Sequence, residues 1–190
     1  MKKYKINEIF YSLQGEGYYT GYARIFIRFA NCNLKCDFCD TEFEKFELYD
    51  IETILSNISQ FPCNKVVLTG GEPTLQINES FVKELKNSGY IVSIETNGTN
   101  EIPKNIDWIT VSPKENWKIR TGDEIKYLID IDEIQENLQL LKIRTNFKHY
   151  FLQPVQNEHY EENLKVSINF IKENPEWKLS IQTHKLLKIQ

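Results

Sequence analysis

Seven apolar, β-rich runs recur along the chain, at 24–29, 65–68, 90–94, 107–111, 124–129, 149–152 and 177–181, with helix-period segments between several of them. Asp50 is placed to cap a helix carrying Ile51, Ile54, Leu55 and Ile58 on one face. Phe81, Val82 and Leu85 lead to a stop at Gly89, Leu164, Ile168 and Ile171 mark a third helix, and 132–141 is a weaker fourth. This alternation predicts a largely parallel sheet with helices on its outer face.

Each of several strands is followed by a polar motif. A cysteine-rich loop follows the first, Thr69-Gly70-Gly71-Glu72 the second, Glu95-Thr96-Asn97-Gly98 the third, Ser112-Pro113-Lys114 the fourth and Gln153-Pro154 a later one. Strand C-terminal ends in such a sheet share one mouth. At 190 residues the chain falls short of the ~250 of a full eightfold barrel. The stretch 112–123 also leaves little room for a crossover helix. The expected fold is therefore α/β, a partial, open (β/α) barrel with reduced helix content, in one domain spanning 1–190.

Composition narrows the partners. At 41% hydrophobic and 13% aromatic the chain can bury a proper core. A net charge of -4 argues against a broad nucleic-acid footprint, which needs clustered Lys and Arg. The start, Met1 to Ile6, is basic without a signal-peptide apolar core, and no apolar run reaches the roughly 18 residues of a span, so a cytoplasmic protein without membrane contact is expected.

Three of the four cysteines, Cys32, Cys36 and Cys39, fall within eight residues. Crowded thiols suit a metal in a reducing compartment better than a disulfide framework. A closed structural zinc site needs four ligands. The next candidates, Cys63, His149, His159 and His184, lie far along the chain with no finger spacing. Three thiolates on a 4Fe-4S cluster leave one iron open for chemistry. A zinc knuckle with a distant fourth ligand, or three unrelated core cysteines, also fits the spacing. Cys63 reads as a small buried hydrophobe, and Trp108, Trp117 and Trp177 as core or interface aromatics.

Cys-x-x-x-Cys-x-x-Cys with Phe38 before the last cysteine resembles the signature of the radical S-adenosylmethionine (SAM) enzymes. The resemblance extends along the chain through residues 8–17, Cys39-Asp40-Thr41, Thr69-Gly70-Gly71-Glu72-Pro73, Glu95-Thr96-Asn97-Gly98, Ser112-Pro113-Lys114, Gln153-Pro154 and Gln182-Thr183-His184-Lys185, in that order. Together these motifs resemble the 7-carboxy-7-deazaguanine synthases, which serve the route to queuosine and other 7-deazapurines. One departure is Tyr22-Ala23, where many members carry a proline.

The resemblance implies a barrel of the radical SAM type and a role for each motif. Cys32, Cys36 and Cys39 would hold a 4Fe-4S cluster whose open iron takes SAM, and electron transfer into SAM would yield a 5′-deoxyadenosyl radical. The loop with Gly71 and Glu72 would hold the methionine end of SAM, Glu72 pairing with its ammonium; an ordinary strand-to-helix turn is the plainer reading. Ser112, Pro113, Lys114, Gln153 and Gln156 would contact SAM ribose and carboxylate, with Phe38 near the adenine. Thr41 would bind Mg²⁺, or else only cap the loop after Cys39.

Leu13, Gln14, Gly15, Glu16, Arg28, Thr69, His184 and the terminal carboxylate of Gln190 would hold the substrate, 6-carboxy-5,6,7,8-tetrahydropterin. Arg28 has opposite strand parity from Ile25 and Ile27 and could clamp a carboxylate, though a surface arginine fits equally. A reductant such as a flavodoxin or ferredoxin and a homodimer are implied. Two rivals stay open. A glycyl-radical-enzyme activase shares the cysteine spacing but leaves residues 14–17 and Thr41 without a task, and a non-enzymatic iron-sulfur or zinc protein leaves the motif order to coincidence.

Overall fold

The computed structural model describes residues 2–36, 44–131 and 138–190. All seven expected runs become strands of one nine-stranded sheet, in the order β3-β1-β2-β4-β5-β6-β7-β8-β9. They are β2 (Ala23–Phe29), β4 (Lys65–Gly70), β5 (Ile91–Thr96), β6 (Trp108–Val111), β7 (Thr121–Ile129), β8 (Asn146–Pro154) and β9 (Trp177–Leu179). From β2 to β9 every neighbour is parallel. Two strands were not foreseen: β1 (Tyr4–Leu13), antiparallel to β2, and β3 (Glu47–Tyr49), antiparallel to β1. The sheet ends at β3 and β9 without closing, which makes the partial, open barrel expected.

Regular alternation cannot find β1, because its register slips between Ile6 and Glu8. Tyr4 and Ile6 join the outer core with the helices, yet Glu8 and Phe10, of the same parity, line the barrel interior. The bulge at Asn7 turns the strand over and brings a carboxylate inside.

Helices α1 (Ile51–Ile58) and α2 (Glu79–Asn87) follow the sequence signals. Asp50 accepts the amide of Thr53 at 3.0 Å, Asn78 accepts that of Phe81 at 3.0 Å, and both helices pack on the outer face of β2, β4 and β5. Helix α3 (Leu138–Ile143) is the described part of the weaker segment, and the short α5 (Thr183–Leu187) was not foreseen. Helix α4 (Tyr160–Glu173) lies where expected and packs Ile171 on the second core cluster, but Ile168 faces out and its fully buried positions are polar. Ile168 is 39% exposed, while Asn163 and Ser167 are fully buried. The Asn163 side chain accepts from the Ile131 amide at 2.9 Å and donates to the Val155 carbonyl at 3.1 Å, so it satisfies loop backbone that an apolar residue would strand.

No helix links β5 to β6 or β6 to β7. The connecting loops cover the outer face instead: Ile102 and Ile106 pack on the first core cluster, and Trp117 is buried in the second with Val111 and Ile125.

Candidate active site

Strand alternation sets the site. Helix-facing residues such as Ile25, Ile27, Val66 and Leu68 are apolar, whereas Arg28, Thr69, Glu95, Thr110, Lys126 and Gln153 face inward from successive parallel strands. They line a cavity of about 750 Å³ at the strand C-terminal ends. Arg28 is thus inside the barrel, as its parity suggested.

Cys32 and Cys36 lie on this wall, directly after β2; Phe38, Cys39 and Thr41 lie outside the described residues. The Leu34 amide donates to Cys32 Sγ at 3.5 Å, and Asn97 Nδ2 lies 3.9 Å from it. These donors suit a thiolate. Thiol-bearing backbone and the glycine loop are laced together, since Gly71 N donates to the Phe29 carbonyl and Glu72 N to that of Asn31, at 3.0 and 2.9 Å. A Cβ on Gly71 would fall 2.1 Å from the Asn31 oxygen, so only glycine permits this approach.

Of the residues expected to meet SAM, Gly71, Ser112, Lys114, Gln153 and Gln156 line the cavity. Pro113 is buried off the wall. Glu72 is also off the wall and 0% exposed. Its Oε1 accepts from Thr74 N (3.0 Å), Thr74 Oγ1 (2.6 Å) and Thr96 Oγ1 (2.8 Å), and its Oε2 accepts from Asn97 N (2.8 Å). A carboxylate so occupied has a structural task here, unlike the ammonium pairing expected from sequence: it ties the β4 loop to the β5 loop, whose Asn97 supports the cysteine segment through Asn33 Oδ1 at 3.0 Å.

Every residue expected to hold the substrate lines the same cavity: Leu13, Gln14, Gly15 and Glu16 from one loop, Arg28 and Thr69 from β2 and β4, and His184 and Gln190 from the last segment. The loop after β1 crosses the inner face of the sheet. Gln14 Nε2 donates to Glu95 Oε1 of β5 at 2.9 Å, Glu16 pairs with Lys126 of β7, and Gly17 N donates to Ser180 Oγ beyond β9 at 3.0 Å. The final segment folds back on this loop. Thr183 N and Oγ1 both donate to the Gly15 carbonyl, and a Cβ on Gly15 would fall 2.0 Å from His184 Nδ1. Ser12 Oγ donates to the main-chain oxygen of Gln190 at 2.6 Å, while Gln190 Nε2 donates to Glu8 Oε2 at 2.6 Å. Glu8 Oε1 in turn holds Arg28 Nε at 2.7 Å.

A family model described as the Radical SAM superfamily matches residues 26–165. The chain is 45% identical over 188 residues to the 7-carboxy-7-deazaguanine synthase of Bacteroides thetaiotaomicron, with 98% of each chain covered. It is 35% identical to that of Haemophilus influenzae, over 98% of this chain and 94% of the relative. The chain belongs to the 7-carboxy-7-deazaguanine synthase family. The crystal structure of QueE from Escherichia coli superposes with a TM-score of 0.77 at 29% identity, covering 96% of this chain and 95% of that one.

In this member of the 7-carboxy-7-deazaguanine synthases, Lys126 centres a buried charge cluster on the cavity wall. Lys126 contacts Glu16, and Glu95 and Glu124 complete the set. The available signal was Glu124 and Lys126 flanking Ile125 on one parity of β7, ahead of the apolar Tyr127-Leu128-Ile129. Burial alone would push the Glu16 carboxyl up, but the charge of Lys126, hydrogen bonds from Lys126 and Gln182, and the charge of His184 hold it below its ordinary value. Burial disfavours the Lys126 ammonium, yet Glu16, Glu95 and Glu124 raise it above the ordinary lysine value.

Glu124 differs: burial pushes its carboxyl up to about 7, against the opposing charge of Lys126 and the Tyr18 amide. Its folded value lies above the unfolded one, so the native state binds more protons between the two, and this contribution to stability is present at low pH and lost as pH rises toward 7. Glu124→Gln, which cannot ionise, is therefore expected to leave stability near wild type at pH 5 and to raise it by on the order of 2 kcal/mol at pH 8. Urea denaturation at both pH values checks this; equal effects at the two would remove Glu124 from the pH dependence.

Proposed function

We propose that this chain converts 6-carboxy-5,6,7,8-tetrahydropterin to 7-carboxy-7-deazaguanine with loss of ammonia, as a lyase of 7-deazapurine biosynthesis. The observation that carries this reading is one cavity lined both by cysteines and by acceptors and donors suited to a carboxylated pterin. The cysteine wall fits a 4Fe-4S cluster, since Cys32 and Cys36 share it beside amide donors and glycine backbone. With SAM bound, such a cluster supplies the hydrogen-abstracting radical. A low-potential flavodoxin or ferredoxin would reduce it.

This chain's own residues bind and orient. Cys32 and Cys36, with Cys39, would hold the cluster, and Ser112, Lys114, Gln153 and Gln156 would receive SAM from the strand ends. Arg28, steadied by Glu8, presents a guanidinium for the pterin carboxylate. Gln14 and Glu16 offer the ring edge an amide and a carboxylate, and His184 covers it from above Gly15. Mg²⁺, if held by Thr41, would bind substrate oxygens as a hard cation with few protein ligands. An activase acts on the backbone of a partner enzyme, whereas this cavity is roofed by residues 180–190 and scaled to a small molecule.

The tail supports both Glu8 and Arg28, so a variant lacking Lys185 to Gln190 is expected to bind the tetrahydropterin at least about tenfold more weakly, a loss of about 1.4 kcal/mol. Its melting temperature and iron content should stay close to wild type, because α5 has no buried residue. Titration calorimetry with the pterin, beside the iron assay, tests the reading; wild-type pterin affinity in the truncated chain would show that the cavity is not the pterin site.

A further inference from the structure

Lys126 stands at the centre of β7, 5% exposed, with its ammonium reaching the cavity wall. Burying an ammonium costs several kcal/mol unless its partners compensate. The charged groups facing it come from three elements: Glu16 from the loop after β1, Glu95 from β5 and Glu124 from its own strand, while His184 of α5 acts on Glu16. Only Glu16 touches it directly among the described contacts. Glu95 is steadied separately, by Gln14 Nε2 at 2.9 Å and Thr69 Oγ1 at 3.3 Å. Glu16 Oε1 accepts from Gln182 Nε2 at 2.8 Å, so its carboxylate is pinned on both oxygens at the edge of the cavity.

We propose that Lys126 is a positioning and specificity-determining residue, whose ammonium aims the Glu16 carboxylate so that the amino edge of a bound pterin is read by a fixed acceptor. The inference rests on the pterin reading of the cavity. A pterin offers its 2-amino group and ring N–H as adjacent donors, which a carboxylate accepts. A lumazine, with oxygen in place of the amino group, offers an acceptor there and is repelled. Without Lys126, Glu16 would face Glu95, and above about pH 7 an ionised Glu124 as well, with no central cation, and burial beside like charge drives a proton onto a carboxyl. A protonated Glu16 can donate as well as accept, so it no longer separates the two rings. Lys126 touches neither ring; it acts through Glu16.

The test is equilibrium binding of pterin-6-carboxylate and lumazine-6-carboxylate to the full chain, read by ligand fluorescence at pH 6 and pH 8.5 with no turnover required. Wild type should prefer the pterin by at least about tenfold at both pH values. Lys126→Met should bring the preference below about threefold at pH 6 and recover part of it at pH 8.5, whereas Lys126→Arg, which keeps the charge, should keep most of it. An undiminished preference in Lys126→Met would overturn the inference. So would a wild-type preference that collapses at pH 6, and that arm decides the matter even if Lys126→Met does not fold. Binding of neither ring to wild type would instead overturn the pterin reading, and the inference with it.

Discussion

Replacing Cys32, Cys36 or Cys39 with Ala is expected to abolish cluster assembly, while Cys63→Ala assembles it at wild-type level. The geometry separates the thiols by sheet end. Cys32 and Cys36 follow the C-terminal end of β2 and face the cavity. Cys63 precedes β4, which runs parallel to β2, with its sulfur 3.5 Å from the carbonyl of Ala23 at the start of β2. A seven-residue strand separates the two ends by roughly 20 Å, far beyond the 2.3 Å of a metal–thiolate bond. Iron and sulfide counts with a cluster spectrum on each variant check this. Loss of the cluster in Cys63→Ala would mean a fourth thiolate closes the site, leaving no iron open to SAM.

Glu72→Ala should unfold more readily than any other single change proposed here, losing on the order of 4 kcal/mol, because it strands several buried donors at once. Thr74 N, Asn97 N and Thr96 Oγ1 each give up an acceptor at 3.0 Å or less. Glu72→Gln returns one carbonyl but points an amide at donors, and should lose roughly half as much. Because Asn97 carries the support onward to Asn33 and the Cys32 loop, both variants should also retain less iron. Denaturation midpoints and iron content, measured beside SAM affinity, separate two roles. A stability deficit in Glu72→Gln supports the clamp, whereas wild-type stability with weakened SAM binding would restore the ammonium pairing read from sequence.

The two cases show where local pattern stops being informative. Strands whose apolar faces sit under helices, such as Val66 and Leu68 of β4, announce themselves through period and composition, and the motifs at their ends fall in the mouth that topology dictates. A glycine-glycine-glutamate loop announces a close approach but not what is approached. Here Gly71 meets the Asn31 carbonyl, and the Glu72 side chain turns into the protein. In β1, the bulge at Asn7 reverses parity, so Glu8 could not be placed inside beforehand. In helix α4 a fully buried Asn163 serves two loops, a role that no apolar period announces. The Lys126 cluster was only partly visible for a related reason: Glu124 shares its strand, but Glu16 and Glu95 come from distant sequence and meet it when a loop crosses the sheet.

The most direct measurement is single-vessel turnover. The chain, loaded anaerobically with iron and sulfide, is incubated with a low-potential reductant, SAM, Mg²⁺ and 6-carboxy-5,6,7,8-tetrahydropterin, and the products are resolved by mass spectrometry. The expected products are 7-carboxy-7-deazaguanine and ammonia in equal amounts, absent without SAM and absent in Cys32→Ala. SAM cleavage by the cluster-loaded wild type with the pterin recovered intact would contradict this.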